Sequence, residues 1–171
     1  EMSAEEFKEI SNAFNGRENG YLNNGLENHD NYYMKRVYLG CVRSIDLLTS
    51  LPEWDGKNVI VQGGSQGGAL ALITAGLDSR VTACVANHPA LSDMAGYKAG
   101  RAGGYPHFFR VEGMDTPDKL KTMAYYDVVN FARMIKVPTY ITWGYNDDTC
   151  PPTTSYAVYN VLDLSLIHIS E

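Results

Sequence analysis

The chain has 171 residues, 44% of them hydrophobic and 20% charged, with a formal net charge of −6. That is the balance of one globular domain with a sizeable core. Binding to nucleic acid would need a basic stripe, and none is written here, so that partner is set aside. Spanning a bilayer would need ~18 consecutive apolar residues, and no stretch comes near that, so no membrane partner is expected.

The first residue is Glu1 rather than Met, so the sequence does not decide between a cytoplasmic and an exported protein. The cysteines Cys41, Cys84 and Cys150 are odd in number and widely spaced. They support neither a disulfide framework nor a metal site, and Cys41 and Cys84, in apolar periodic runs, read as buried free thiols.

In chain order, "SAEEFKEISNAF" opens with a short helical pattern in which Ser3 and Glu6 form a capping box. An Asn- and Gly-rich loop, "NGRENGYLNNGLENHD", follows. Asp30 or Asn31 is then expected to cap an amphipathic helix whose stripe is Met34, Val37, Tyr38, Cys41, Ile45 and Leu48. "LPEWDGKN" ends it as a turn. "NVIVQ" (58–62) reads as a strand buried on both faces, and "SQGGALALITAGL" as a helix starting beside Ser65 and ending near Gly76. "RVTACVANHPA" supplies a second strand, "KLKTMAYYDVVNFARMIK" one further amphipathic helix, and "VPTYITWG" a third strand with Pro138 near its start. "PPTTSYAVYNVLD" opens the last helix with its prolines in the first turn. Alternating helices and strands predict an α/β fold built on a parallel sheet.

The chemistry concentrates in Gly63-Gly64-Ser65-Gln66-Gly67, which fits G-x-S-x-G with a strand before it and a helix after it. A turn sharp enough to lift a serine above the sheet edge strains that residue and crowds its neighbours, which accounts for Gly63 and Gly67. Gly68 lets the new helix pack close. The Gln66 N–H, at the positive end of that helix, can meet an oxyanion. A phosphate loop is excluded because no Lys follows these glycines, and the dinucleotide G-x-G-x-x-G spacing is absent. A Gly-rich turn around a merely satisfied serine is the plain alternative.

A nucleophilic serine needs an acid and a histidine, in the order Ser, Asp/Glu, His for this fold. "YITWGYNDDTCPP" offers Asp147 and Asp148 directly after the third strand, where turn chemistry alone could also have placed them. None of the four histidines is assigned as base. His29 lies in a polar loop, His88 precedes the acid, His107 sits in "GGYPHFF", and His168 stands in "LSLIHISE" without a loop signal.

The segment "NYYMKRVYLGCVRSIDLLTSLPEWDGKNVIVQGGSQGGALALITAGLDSRVTACVANHPALSDM", continued by "RAGGYPHF" and "YYDVVNFARMIKVPTYITWGYNDDTCPPTTSYAVYN", closely resembles the acetyl xylan esterase and cephalosporin C deacetylase family, carbohydrate esterase family seven. The resemblance covers residues 15 to 162. It implies a partial α/β-hydrolase fold, a mostly parallel sheet with helices on both faces. It also implies a serine esterase that removes acetyl groups from small acetylated carbohydrates such as xylo-oligosaccharides, with no cofactor and no metal. On the family pattern Ser65 is the nucleophile, the Gln66 N–H one oxyanion donor, and Asp147 rather than Asp148 the acid. Family members commonly form doughnut-shaped hexamers, which implies a homo-oligomer.

The family's Arg-Gly-Gln segment and its second oxyanion contact lie upstream of this chain, and its Gly-His-Glu histidine downstream. Residues 1–163 thus read as a partial hydrolase domain, expected to be inactive alone. The tail 164–171 reads as non-native, resembling translated sequencing-adapter read-through, with nothing to pack against. A peptidase of the prolyl oligopeptidase type and a non-catalytic binding module of the same fold are the other readings.

Overall fold

The structure is a computed structural model that describes residues 2–14, 20–163 and 167–170. Helix α1 (Ala4–Phe14) starts with the expected capping box. The Glu6 carboxylate accepts from the Ser3 N–H at 2.8 Å, and the Ser3 hydroxyl accepts from the Glu6 N–H at 3.2 Å. Helix α2 (Tyr33–Ser50) buries Met34, Tyr38 and Ile45, but Leu48 at the end of the predicted stripe is 41% exposed. Its N-cap is Tyr32, one position beyond the expected caps. Asp30 spends its carboxylate on Lys35 at 3.1 Å instead.

Strand β1 (Ile60–Gly64) leads through Ser65 into α3 (Gln66–Leu77), and β2 (Ala83–Asn87) follows. α3 is apolar nearly all round, and its residues Leu72 and Ile73 are fully buried. Burying each contributes about 1.5–3 kcal/mol. Its buried position explains why an apolar run without amphipathic periodicity still forms a helix.

The single amphipathic helix predicted over 119–136 is broken in two, as α4 (Pro117–Tyr126) and α5 (Val128–Ala132). The break falls at Asp127, whose extended backbone (φ −67°, ψ 127°) ends one helix while its carboxylate caps the next at Val129 N–H. The same carboxylate accepts from the N–H groups of Asp93 at 3.0 Å and Met94 at 2.8 Å, so it also ties down the loop after β2. Burial pushes this carboxyl up to about 6, while the three N–H donors pull the other way.

Strand β3 (Thr139–Thr142), helix α6 (Pro152–Tyr159) and strand β4 (Ile167–Ser170) complete the described elements. All strands run parallel in the order β1-β2-β3-β4. An order that advances in one direction through right-handed crossovers lays its connecting helices in one row. Packing follows that row, from α2 to α3, α3 to α5 and α5 to α6.

The sheet is therefore asymmetric. Cys84 and Ala86 on β2 and Thr139 and Ile141 on β3 are buried, while their alternating neighbours Val85 and Tyr140 are only half-buried. On β1, Ile60 is 64% exposed. The burial expected on both faces of "NVIVQ" is met on one. The tail, expected to have nothing to pack against, pairs with β3: Thr139 lies opposite Ile167 and Tyr140 opposite His168. β-Branched residues at 167 and 169 suit an added strand. Residues 164–166 and 171 of that tail, and 15–19 of the Asn-rich loop, lie outside the described residues.

Candidate active site

Ser65 has φ 52° and ψ −120°, a conformation that L-residues seldom adopt and that costs on the order of 1–3 kcal/mol. Surrounding bonds hold it there. Its N–H donates to the Asn87 carbonyl at 3.0 Å, and its carbonyl accepts from Ala69 N–H at 3.1 Å and Ala90 N–H at 3.0 Å. Because the peptide unit is planar, a Ser65 carbonyl pinned by two donors turns the Gln66 N–H the opposite way.

The glycines divide the steric work differently from the sequence expectation. A Cβ on Gly63 would run into the Gly67 backbone, and one on Gly68 would lie 2.9 Å from the Asn87 carbonyl oxygen. A Cβ on Gly67 would meet nothing within 4 Å outside its own helix. Gly63 and Gly68 are the required glycines, and Gly67 is the surface that excludes a side chain at 63.

Asp147 and Asp148 follow β3 on the adjacent loop. Asp147 is half-buried and Asp148 exposed. The Asp147 Oδ1 accepts from the N–H groups of Thr149 at 2.9 Å and Cys150 at 2.8 Å. The buried Cys150 thiol lies near the Ser65 side chain, and burial raises its pKa. One residue thus lies near the serine and donates its N–H to the Asp147 carboxylate. Sequence reasoning assigned Cys150 no such part, although its position three residues after Asp147 was the available signal.

The histidines separate cleanly. His29 lies 3.6 Å from Asp30 and stacks on Tyr125 with ring centroids 4.9 Å apart, a surface arrangement. His88 follows β2 with φ 36° and sets its ring beside Gly64, next to the elbow. His107 lies against the backbone of Thr149 on the acid loop. Burial first, then the Arg110 charge, holds its pKa below the ordinary value, and its buried Nδ1 lacks a hydrogen-bond partner. His168 is on β4. Among the described side chains, no histidine is hydrogen-bonded to Ser65 or Asp147.

A second contact was not legible in the sequence. The Tyr21 hydroxyl donates to the Gln66 side-chain oxygen at 2.6 Å, across 45 residues. The cysteines are free thiols, with Cys84 pushed up to about 12 by burial. Among the described residues, no cluster of His, Cys, Asp and Glu could hold a metal ion, and no helix is long and apolar enough to cross a membrane.

A parallel sheet, a serine on a strained strand-to-helix turn and an aspartate on the loop after a later strand define an α/β-hydrolase fold. The solved structures similar to this chain share it. The acetyl xylan esterase from Paenibacillus sp. R4 superposes with a TM-score of 0.79 at 34% identity, over 89% of this chain and 50% of that one. The acetyl xylan esterase 1 from Thermoanaerobacterium sp. JW/SL YS485 gives 0.76 at 28% identity over the same shares. The sequence profile of the acetyl xylan esterase family (AXE1) matches residues 3–166, so the chain belongs to that family. It is also 74% identical over 162 residues to the acetyl esterase Axe7A of Xylanibacter ruminicola, a match over 95% of this chain and 37% of that protein. The chain spans about half the length of the solved relatives and little more than a third of the curated one.

Proposed function

We propose that this chain is the nucleophile-bearing part of a serine carbohydrate esterase that removes acetyl groups from small acetylated sugars such as xylo-oligosaccharides. The observation that carries the reading is the backbone of Ser65, strained and held from three sides at the mouth of a β-strand. Strain kept in place by such surroundings is characteristic of a catalytic turn. Family membership supports the choice of acetyl esters.

In the mechanism, the Ser65 hydroxyl attacks the acetyl carbonyl while a histidine takes its proton. The carbonyl oxygen becomes an oxyanion met by the Gln66 N–H. As the tetrahedral intermediate collapses, the histidinium gives its proton to the departing sugar oxygen, which leaves as a free hydroxyl, and an acetyl-serine remains. Water, deprotonated by the same histidine, attacks that ester and releases acetate. Asp147 is the candidate to orient the histidine: one oxygen is anchored to two N–H groups, which leaves the other for the imidazole. No step calls for a cofactor. A homo-oligomer is part of the proposal on family grounds, and light scattering of the protein from its full reading frame measures it.

The deciding experiment is Ser65→Ala in that full-length protein, assayed on p-nitrophenyl acetate and acetylated xylo-oligosaccharides. Turnover is expected to fall by about 10⁴-fold or more with the fold intact. Near-wild-type hydrolysis by the folded variant overturns the assignment.

A further inference from the structure

Around Ser65, most restraints act on the main chain, yet one acts on a side chain whose own N–H is the candidate oxyanion donor. Gln66 is the first residue of α3, so its N–H is among those left without an intrahelical acceptor. The Ser65 carbonyl, on the same peptide unit, is fixed by Ala69 and Ala90. The Gln66 side chain has no such backbone restraint. Left free, its carbonyl oxygen could swing over the helix N-terminus and lie where the developing oxyanion must sit. Two partial negative charges would then compete for one donor.

The Tyr21 hydroxyl removes that freedom by donating to Gln66 Oε1 at 2.6 Å. Tyr21 is itself well placed to act as a fixed point. It opens a short 3₁₀ turn, Tyr21–Asn23, entered through Gly20 in the left-handed region at φ 67°. Its neighbour Leu22 is buried, and its ring lies 5.6 Å from that of Tyr33, on the first turn of α2. The turn is bound to α2 by the Tyr33 N–H, which donates to the Asn24 carbonyl at 2.9 Å. An Asn- and Gly-rich stretch that reads as a plain loop therefore carries a phenol to the elbow.

We propose that Tyr21 is a positioning residue for the reaction, holding the Gln66 side chain aside so that the Gln66 N–H stays open to the oxyanion. The inference rests on the esterase reading of Ser65. It predicts a loss in the transition state rather than in substrate binding, because the ground-state carbonyl draws far less on that donor than the oxyanion does.

The test uses the protein from its full reading frame and compares Tyr21→Phe, Gln66→Met and the double variant. Tyr21→Phe should lower kcat on p-nitrophenyl acetate by about 5- to 10-fold, the scale of one hydrogen bond. KM and melting temperature should stay near wild type. Phenylboronic acid, which forms a tetrahedral adduct on an active serine, should bind more weakly by a similar factor. The double variant should lose no more than Gln66→Met alone, since both changes act through one contact. Wild-type kcat and boronic-acid affinity in Tyr21→Phe overturn the proposal, and so do losses that multiply in the double variant. Ser65→Ala is run alongside, and activity surviving there overturns the esterase reading and this inference with it.

Discussion

The elbow and the acid loop each hold one candidate catalytic side chain, and they do so by opposite means. At the elbow the main chain itself is forced. Ser65 sits at φ 52°, and Gly63 is packed so closely on Gly67 that no side chain fits between them. On the acid loop the geometry comes from a side chain, the Asp147 carboxylate gathering the N–H groups of Thr149 and Cys150. Steric exclusion demands particular residue types, whereas a carboxylate accepting two N–H groups is what many ordinary turns contain. The first arrangement therefore announces itself in a sequence and the second does not.

The difference can be tested where the expected effect is largest, at the acid. Asp147→Asn keeps an oxygen for the two N–H donors, so the loop should survive while the histidine loses its orienting charge. In the full-length enzyme, turnover should fall by about 10³–10⁴-fold with little change in melting temperature. Asp148→Asn, at an exposed position, should stay within a factor of about two. The reverse ranking in steady-state assays would show that the wrong carboxylate had been chosen.

Gly63→Ala probes the elbow by the opposite criterion. Its added methyl group meets the Gly67 backbone, which has no flexible end to yield. The expected cost is about 2–4 kcal/mol of unfolding free energy, the scale of forced overpacking in a closed site. Gly67→Ala, with open space around its Cβ, should cost well under half as much. Equal losses in chemical denaturation would mean that sterics do not govern the turn.

The smallest effect sharpens the carboxylate side of the contrast. Asp127, like Asp147, gathers backbone N–H groups, but its burial pushes its carboxyl from the ordinary 3.8 up to about 6. A carboxyl whose folded pKa is raised binds its proton more tightly in the folded state. Its contribution is fully present below about 4 and is lost as pH rises through about 6. Lowering the pH from 7 to 5 in steps should accordingly raise stability by on the order of 1 kcal/mol through this group. Asp127→Asn, less stable overall, should lack that rise. Parallel pH slopes for the two proteins would exclude Asp127 as its source.

Most of the architecture was legible because apolar runs, turn residues and caps agreed with one another. Three features were not. The break at Asp127 lies inside an uninterrupted amphipathic pattern, and it arises from the tertiary demand of Asp93 and Met94 for an acceptor. The apolar "NVIVQ" signals two-sided burial, yet Ile60 is open at a sheet edge. Pairing of Ile167–Ser170 with β3 depends on a free strand edge that no local pattern reveals. At the candidate site, Ser65 is proposed from its motif and the Asp147–Asp148 loop from chain order, while the choice of Asp147 over Asp148 rests on the family resemblance. Tyr21 and Cys150 were not readable in the sequence, because their relevance comes only from contacts made across the fold.

The strand register also implies an order of assembly. β1 joins β2 through Ile60 and Ala83, but β2 joins β3 through Cys84 and Thr139, more than twice as far along the chain. Closing the longer loop costs about 0.8 kcal/mol more in chain entropy before any contact rewards it. The β1–α3–β2 unit is thus expected to form first, with β3 and the Asp147 loop that follows it condensing onto it afterwards. Nascent chains would carry a finished Ser65 turn while Asp147 was still unplaced.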